Sequence, residues 1–523
     1  MELAYGMLCS CSVFSVTVLI ILLSWRKFGK DTKQKVPPGP QGWPVIGNIL
    51  DLGTMPHQTL YKLRSKYGTL LWLKLGSMNT MVLQSSMAAE QLFKNHDLSF
   101  CDRKCPDALI PHNYYQGSLA FGRYGSYWRI LRRLCTMELL VNKRVNDTAA
   151  LRRKCVDAML RHIERDSAAG LARGESGEVN LAHSLFLMAF NLIGNLMVSK
   201  DLLESESREG KEFFDAMDKI MEFVGKPNLA DFLPFLKWLD PQGVKRNMKE
   251  HMGKAMNIAG RFVKERVEER KIGKQGMAKD FLDALLEYES DGKEGPDRIS
   301  DHNINVIVLE VDFGKLYVLM AQEMFLAGSE TTSSTVEWAM TELLRNPKSM
   351  QKAREELNQV VGPNRKVEES DMDNLPYLQA VVKETLRLHP PLPLLVPRNA
   401  MEDTEFMGYL IPKDTQIFVN VWGIGRDPET WDEPLCFKPE RFTGSNIEYR
   451  GQNFELIPFG SGRRICVGLS LAHRVVHLAL ASLLHTFNWN LNPKFLDTNE
   501  RVGITLRKLV SLKAIPRKRS LGE

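Results

Sequence analysis

From Ser126 to about His389 the chain keeps returning apolar residues at spacings of three and four, most clearly in Arg152–Arg165, Phe213–Val224, His251–Lys271 and Pro347–Val360. That is the spacing of one face of an α-helix. A middle of this length built from helices confines the chain to a mainly α fold. On either side the period changes. The runs TLLWLKL (69–75) and NTMVLQ (79–84), the proline-punctuated region Pro390–Phe442 and the late stretch ITLRKLVSLKAI (504–515) are short and rich in strand formers, and predict a smaller β-rich region. The polar segment Tyr288–Asp301 reads as a loop between helices. A net charge of +6, spread without a basic block, gives no footing to nucleic-acid binding.

One stretch stands apart. Leu3–Trp25 carries no charge, and at about 1.5 Å per residue it is long enough for a hydrocarbon core of about 30 Å. The basic residues Arg26, Lys27, Lys30, Lys33 and Lys35 follow it. That order argues for a retained single transmembrane helix over a cleaved signal, and leaves the downstream chain cytosolic. No second apolar stretch of that length is apparent. The organisation expected is an anchor at 3–25, a basic stop-transfer and proline-rich hinge at 26–48, and one large domain at 49–523. Four prolines within VPPGPQGWPVIGN (36–48) make the hinge stiff and folded back. Eight cysteines without a C-x-x-C pair offer no zinc site, and in the cytosol they stay reduced.

PFGSGRRICVG (458–468) frames Cys466 with Gly460, Gly462 and Gly468 and with Arg463 and Arg464. Glycines allow close backbone approach, and cations favour a thiolate; taken alone, the stretch fits an inert buried cysteine equally well. In KETLRLHPP (383–391) Glu384 and Arg387 share a helical face, and FKPERF (437–442) supplies Arg441. Together they fit a buried charge network; singly they fit surface charges. YGSYWRILRR (124–133) sets Trp128 and Arg132 four apart, a pair suited to a carboxylate, or else a core tryptophan with an outer arginine. FLAGSETTSSTVEWAM (325–340) is helical in period yet holds Gly328 and a run of hydroxyls. A local kink is expected there, with Glu330 and Thr331 placed to relay protons.

WRILR, AGSETT, ETLR, FKPERF and FGSGRRICVG, in this order and spacing, resemble the cytochrome P450 family of haem-thiolate monooxygenases over nearly the whole chain. The anchor and PPGPQGWPVIGN are similar to its plant microsomal type, in the group that includes geraniol hydroxylases and iridoid oxidases. The resemblance implies haem b (iron protoporphyrin IX) as cofactor, with Cys466 as its axial thiolate. It implies Trp128, Arg132, Arg398 and Arg464 as partners of the haem carboxylates, and Phe459 as the aromatic beside the cysteine loop. Glu384, Arg387 and Arg441 match a structural triad locking that loop. Glu330 and Thr331 match an acid–alcohol pair delivering protons during oxygen activation, and Ala327 and Gly328 match small residues leaving room above the haem. Substrate contacts map to Asn113, Tyr114, Tyr115, Gln116, Phe325, Leu326, Ala327, Leu394, Leu395, Val396, Ile504 and Thr505. The activity implied is hydroxylation or further oxidation of a small hydrophobic plant metabolite, a monoterpenoid or iridoid ahead of a flavonoid or alkaloid. It would use dioxygen and electrons from an NADPH–cytochrome reductase docking near Arg129, Arg133 and Arg463, at the endoplasmic reticulum membrane.

The chain departs from the family pattern in one place. A VIVLE-like segment usually runs directly into MFLAGSETT, whereas here Val311–Glu323 intervenes. As continuous helix these residues would turn everything upstream by about 220°. The excess is therefore expected to bulge out or break the helix, with Met324 onward in register. The alternative function is then a haem-binding but inactive variant.

Overall fold

The computed structural model describes residues 35–202, 208–225, 227–272, 280–286, 313–491, 496–503 and 505–519. The expected anchor at Leu3–Trp25 and the loop Tyr288–Asp301 lie outside them. The long helices are α1 (Pro56–Tyr67), α2 (Ser126–Leu134), α3 (Ala149–Ala172), α4 (Leu181–Val198), α5 (Arg208–Val224), α6 (Val244–Lys271), α7 (Phe313–Arg345), α8 (Pro347–Val360), α9 (Pro376–Leu388) and α10 (Leu469–Thr486). Local chemistry sets their ends. Prolines stand at the first positions of α1, α8 and α9, where a missing N–H costs nothing. Asn180 caps α4 by accepting from the His183 N–H, 3.3 Å away.

The helices pack around α7, which touches α4, α6, α9 and α10. Gly328 of α7 sits against α4: a Cβ there would lie 2.7 Å from Ile193 Cδ1, so the two helices approach over a residue without a side chain. α4 corrects the sequence reading. It is apolar and long enough to cross a membrane, yet 72 % of it is buried inside the protein. A helix apolar all round is a core helix when other helices cover it.

Two further expectations change. The break foreseen within 311–323 does not occur from Phe313 onward, where α7 runs unbroken to Arg345. Leu316, Met320, Ala321 and Gln322 favour helix, and Gly314 falls in the first turn. Nor is the helix interrupted at Gly328. The hydroxyls of Thr331 and Thr335 donate to the carbonyls of Ala327 and Thr331 at 2.5 and 2.8 Å, and these bonds are accommodated within the helix.

The β-rich part flanks one end. Strands β1 (Leu70–Leu75) and β2 (Met78–Leu83) pair antiparallel; β3 (Val179–Asn180) lies apart; β4 (Arg398–Asn399), the hairpin β5 (Thr404–Phe406) and β6 (Tyr409–Ile411), and β7 (Gln416–Val419) follow. The main sheet has the order β1-β2-β7-β4, with β2 and β7 parallel. β8 (Phe487–Asn490) and β11 (Lys513–Lys518) form a sheet with β3, and β9 (Glu500–Val502) pairs with β10 (Leu506–Lys508). The proline-rich segment lies along β1: the Trp72 N–H donates to the Pro38 carbonyl at 2.9 Å, and Gly47 bridges to Leu75.

Candidate functional site

The segment Pro458–Gly468 leads into α10. Its Cys466 N–H donates to the Phe459 carbonyl at 3.0 Å, closing a tight loop. Gly462 takes φ +67°, and a side chain on it would collide with the Asp97 carboxylate, so glycine is required there on two grounds. Gly468, by contrast, has an ordinary φ of −82°. Asp97 is the anchor: it accepts from the Arg463 N–H (2.9 Å), from Arg463 Nη1 (3.0 Å) and from Arg398 Nη1 (2.7 Å).

The Cys466 sulfur opens into an interior cavity of about 310 Å³ with a largely apolar lining. Burial pushes its thiol pKa up, against the pull of the Gly468 N–H and of Arg132. This corrects the expectation that Arg463 and Arg464 act on the sulfur. Arg463 is held by Asp97, and Arg464 donates to the carbonyls of Cys101, Leu119 and Gly122 at 2.9, 3.2 and 2.8 Å. Arg132 is the nearby cation, its Nη2 on the Ile465 carbonyl at 2.7 Å.

Four arginines, Arg103, Arg132, Arg398 and Arg464, line the cavity, against one carboxylate, Glu323, among the described lining residues. Burial lowers the pKa of each; that of Arg464 falls to about 10, and Arg103 is pushed down further by Arg398 and Arg464. The Arg103 Nε atom is buried without a partner. Arg398 already has Asp97, and the buried positive charge of the other three calls for further anions to compensate it. The two carboxylates of haem, beside a sulfur open to the cavity, meet that need, so the residues fit the group. Trp128 stands behind this row. It is buried with its Nε1 on the Leu119 carbonyl at 3.0 Å and the Arg464 guanidinium 3.9 Å above its ring, and it does not line the cavity.

The charge network is assembled. Glu384 accepts from Arg387 Nε and Nη2 at 2.6 and 2.7 Å and from Arg441 Nε at 3.0 Å, with the Glu384 and Arg387 side chains 0 % exposed. Arg387 also donates to the carbonyls of Gly425, Pro434 and Cys436. The triad thus ties α9 to residues 425–441, the segment before the cysteine loop.

On α7 the helical phase sorts the predicted residues. Met324, Ala327, Gly328, Thr331, Thr332 and Thr335 face the cavity, as does Leu326 at its edge. Glu330, next to Thr331, turns about 100° away. It is buried against Arg507 of β10, off the cavity. Glu330→Gln is therefore expected to cost about 1–3 kcal/mol of stability by stranding Arg507, seen as a lower thermal midpoint. Phe325 also points away, its ring 4.7 Å from that of Phe190 and 5.2 Å from that of Phe213. Tyr114, Leu395, Val396, Thr505 and Phe459 line the cavity, whereas Asn113 is exposed and Leu394 packs into the small cluster around Leu71 and Leu73. Leu395 takes φ +53°, and this turn sends neighbouring side chains to opposite sides. Ile504 lies outside the described residues. The sequence reading missed Arg103, Glu323 and the α4 face of Ala189, Ile193 and Met197. Their four-residue spacing is hard to see in a helix whose apolar residues fall on every side.

Beneath the cysteine loop, the Tyr449 hydroxyl meets His473 Nδ1 at 2.5 Å and the His473 and His477 rings lie 4.4 Å apart. Burial and nearby cations hold His473 at about 4; burial and His473 hold His477 at about 3. Both are neutral in the fold. Their contribution is complete above the ordinary value of 6.5 and is lost as pH falls from 6.5 toward 4 and 3, at up to about 1.4 kcal/mol per pH unit for each proton taken up. Denaturant midpoints measured from pH 7 to 4 should fall steeply, and His477→Phe should flatten the slope.

The family model described as Cytochrome P450 matches residues 37–512. An iridoid oxidase of Catharanthus roseus is 58 % identical over 97 % of this chain and 96 % of its own, and a geraniol 8-hydroxylase of the same plant is 41 % identical over 96 % and 98 %. A zebra fish cytochrome P450 structure with progesterone superposes with a TM-score of 0.74 at 27 % identity, over 89 % of this chain and 99 % of that one. A cysteine loop open to an arginine-lined cavity, matched over this length, has one reading: the chain belongs to the cytochrome P450 family of monooxygenases, with haem as its cofactor.

Proposed function

We propose that the protein is a membrane-bound monooxygenase that hydroxylates a monoterpenoid or iridoid, or oxidises it further. The carrying observation is the apolar wall that Ala189, Ile193, Leu326 and Ala327 give the cavity open to Cys466, which suits a hydrophobic molecule; the similarity to an iridoid oxidase and a geraniol 8-hydroxylase supports the substrate class. Held by the Cys466 thiolate, haem supplies the oxygen-activating chemistry, with electrons from an NADPH–cytochrome reductase. Arg132, Arg398 and Arg464 hold the haem carboxylates and so orient the ring. Leu326, Ala327, Leu395 and Val396 exclude water from the substrate side. The Thr331 hydroxyl, donating to Ala327, is the proton-bearing group on the cavity wall. Exposed Arg129 and half-exposed Arg463 contribute to the reductase contact.

Membranes carrying the full chain and reductase, supplied with NADPH and a panel of monoterpenols, iridoids, flavonoids and alkaloids, test the reading. A product gaining one oxygen from dioxygen in the first two classes is expected; turnover confined to the last two overturns it. Thr331→Val is expected to cut product about a hundredfold while NADPH oxidation continues. The inactive alternative is less well supported, because α7 carries through 313–323 into the cavity wall without interruption.

Membrane attachment has support besides Leu3–Trp25. Trp43, Val45 and Leu50 are 59, 64 and 69 % exposed, and Phe235, Trp238 and Leu239 are 60, 80 and 52 %. The β1–β2 turn joins the two groups: the Gly76 N–H donates to Ile46 and the Ser77 N–H to Phe232, at 3.0 and 2.9 Å. An apolar patch at the end where the described chain begins suits a bilayer. A chain lacking residues 1–34 should still sediment with phospholipid vesicles, and Phe235→Ser with Trp238→Ser should release it.

A further inference from the structure

We propose that Glu323 is a positioning residue for the haem-carboxylate cradle: its carboxylate fixes the peptides of residues 118–120, and the Leu119 carbonyl in turn holds Trp128 and Arg464. Glu323 is 5 % exposed. It accepts from Ser118 Oγ at 2.7 Å, from the Leu119 N–H at 2.5 Å and from the Ala120 N–H at 2.8 Å. The far side of the same residue does the holding, because the Leu119 carbonyl accepts from Trp128 Nε1 at 3.0 Å and from Arg464 Nη1 at 3.2 Å. The carboxylate therefore connects α7, the substrate-side helix, to α2 and the cysteine loop through one residue. Burial raises the Glu323 pKa, and the three donors with Arg464 oppose it. Without the carboxylate, two backbone N–H groups lose the partner they have here.

Glu323 is the last residue of the segment that departs from the family pattern, and Glu310 ends the segment before it. Deleting 311–323 places Glu310 directly ahead of Met324. The same residue type then stands at the point where the carboxylate is needed. The inference rests on Arg464, stacked over the Trp128 ring, serving the haem carboxylates.

The test measures loss of haem from the membrane-bound, haem-loaded full chain to an excess of a haem-scavenging apoprotein. Glu323→Gln and Trp128→Phe are each expected to speed the loss about tenfold. The double variant should be no more than about twofold faster than Trp128→Phe alone, because both act through Leu119. Deletion of 311–323 should keep the parental rate, and Glu310→Ala within that deletion should bring back the tenfold rise. Ser118→Ala, which removes one donor and leaves the acid, gives a smaller acceleration and serves where Glu323→Gln does not fold. Normal haem retention in Glu323→Gln, or single effects that multiply in the double variant, overturns the proposal while leaving the cradle intact. Normal retention in Trp128→Phe overturns the cradle reading and the proposal together.

Discussion

Cys466→Ala is expected to give a folded chain with no thiolate-type carbon-monoxide band and with turnover reduced about a thousandfold or more. The loop holds its shape without the sulfur. It is fixed by the backbone bond from Cys466 to Phe459, by Asp97 acting on Arg463 and Arg398, and by Ser461 Oγ on the Gly451 carbonyl at 2.5 Å. None of these uses the thiol. The side chain instead opens into the cavity, so its loss should move the melting temperature of the haem-free chain little and remove the metal ligand altogether. Difference spectra of the reduced carbon-monoxide adduct decide the matter; a thiolate-type band in the alanine variant would place the ligand elsewhere.

Glu384→Gln should be the most damaging change to folding, at about 3–5 kcal/mol. That is a large share of the 5–15 kcal/mol typical of a folded domain. Glu384 and Arg387 have no solvent to fall back on, and neutralising the acid leaves the Arg387 and Arg441 cations and the Lys438 N–H, 2.8 Å away, facing an amide. The result expected is a low yield of haem-loaded protein and a strongly lowered unfolding midpoint. Arg441→Ala should be milder than Arg387→Ala. Arg441 is 8 % exposed rather than buried outright, and Arg387 alone clamps the carbonyls of Gly425 and Pro434. Equal midpoints for the two arginine variants would remove this account of the triad.

The helical middle, the flanking strands, the cysteine loop and the E-x-x-R partners were legible in the sequence, because each is a local pattern. Periodicity, turn residues and the three-residue spacing of Glu384 and Arg387 act between neighbours in the chain. The direction of individual side chains was legible only in part. Adjacent residues such as Glu330 and Thr331 read as a pair, yet a helix separates them by about 100°, and which one meets the cavity depends on where α4 and β10 pack. α4 itself read as nothing in particular, since apolar residues on nearly every side of a helix leave little periodicity. The sequence determined that a cysteine would be framed by glycines and arginines, and the family resemblance implied haem as the partner. Only the tertiary structure decided which cations serve the sulfur and which serve Asp97, and that Glu323, read as the end of superfluous chain, is a buried anchor. Those choices rest on partners more than two hundred residues apart, such as Glu323 with Ser118 and Arg463 with Asp97; distance in the chain carries no trace of them, and burial makes each pairing obligatory once the fold has formed.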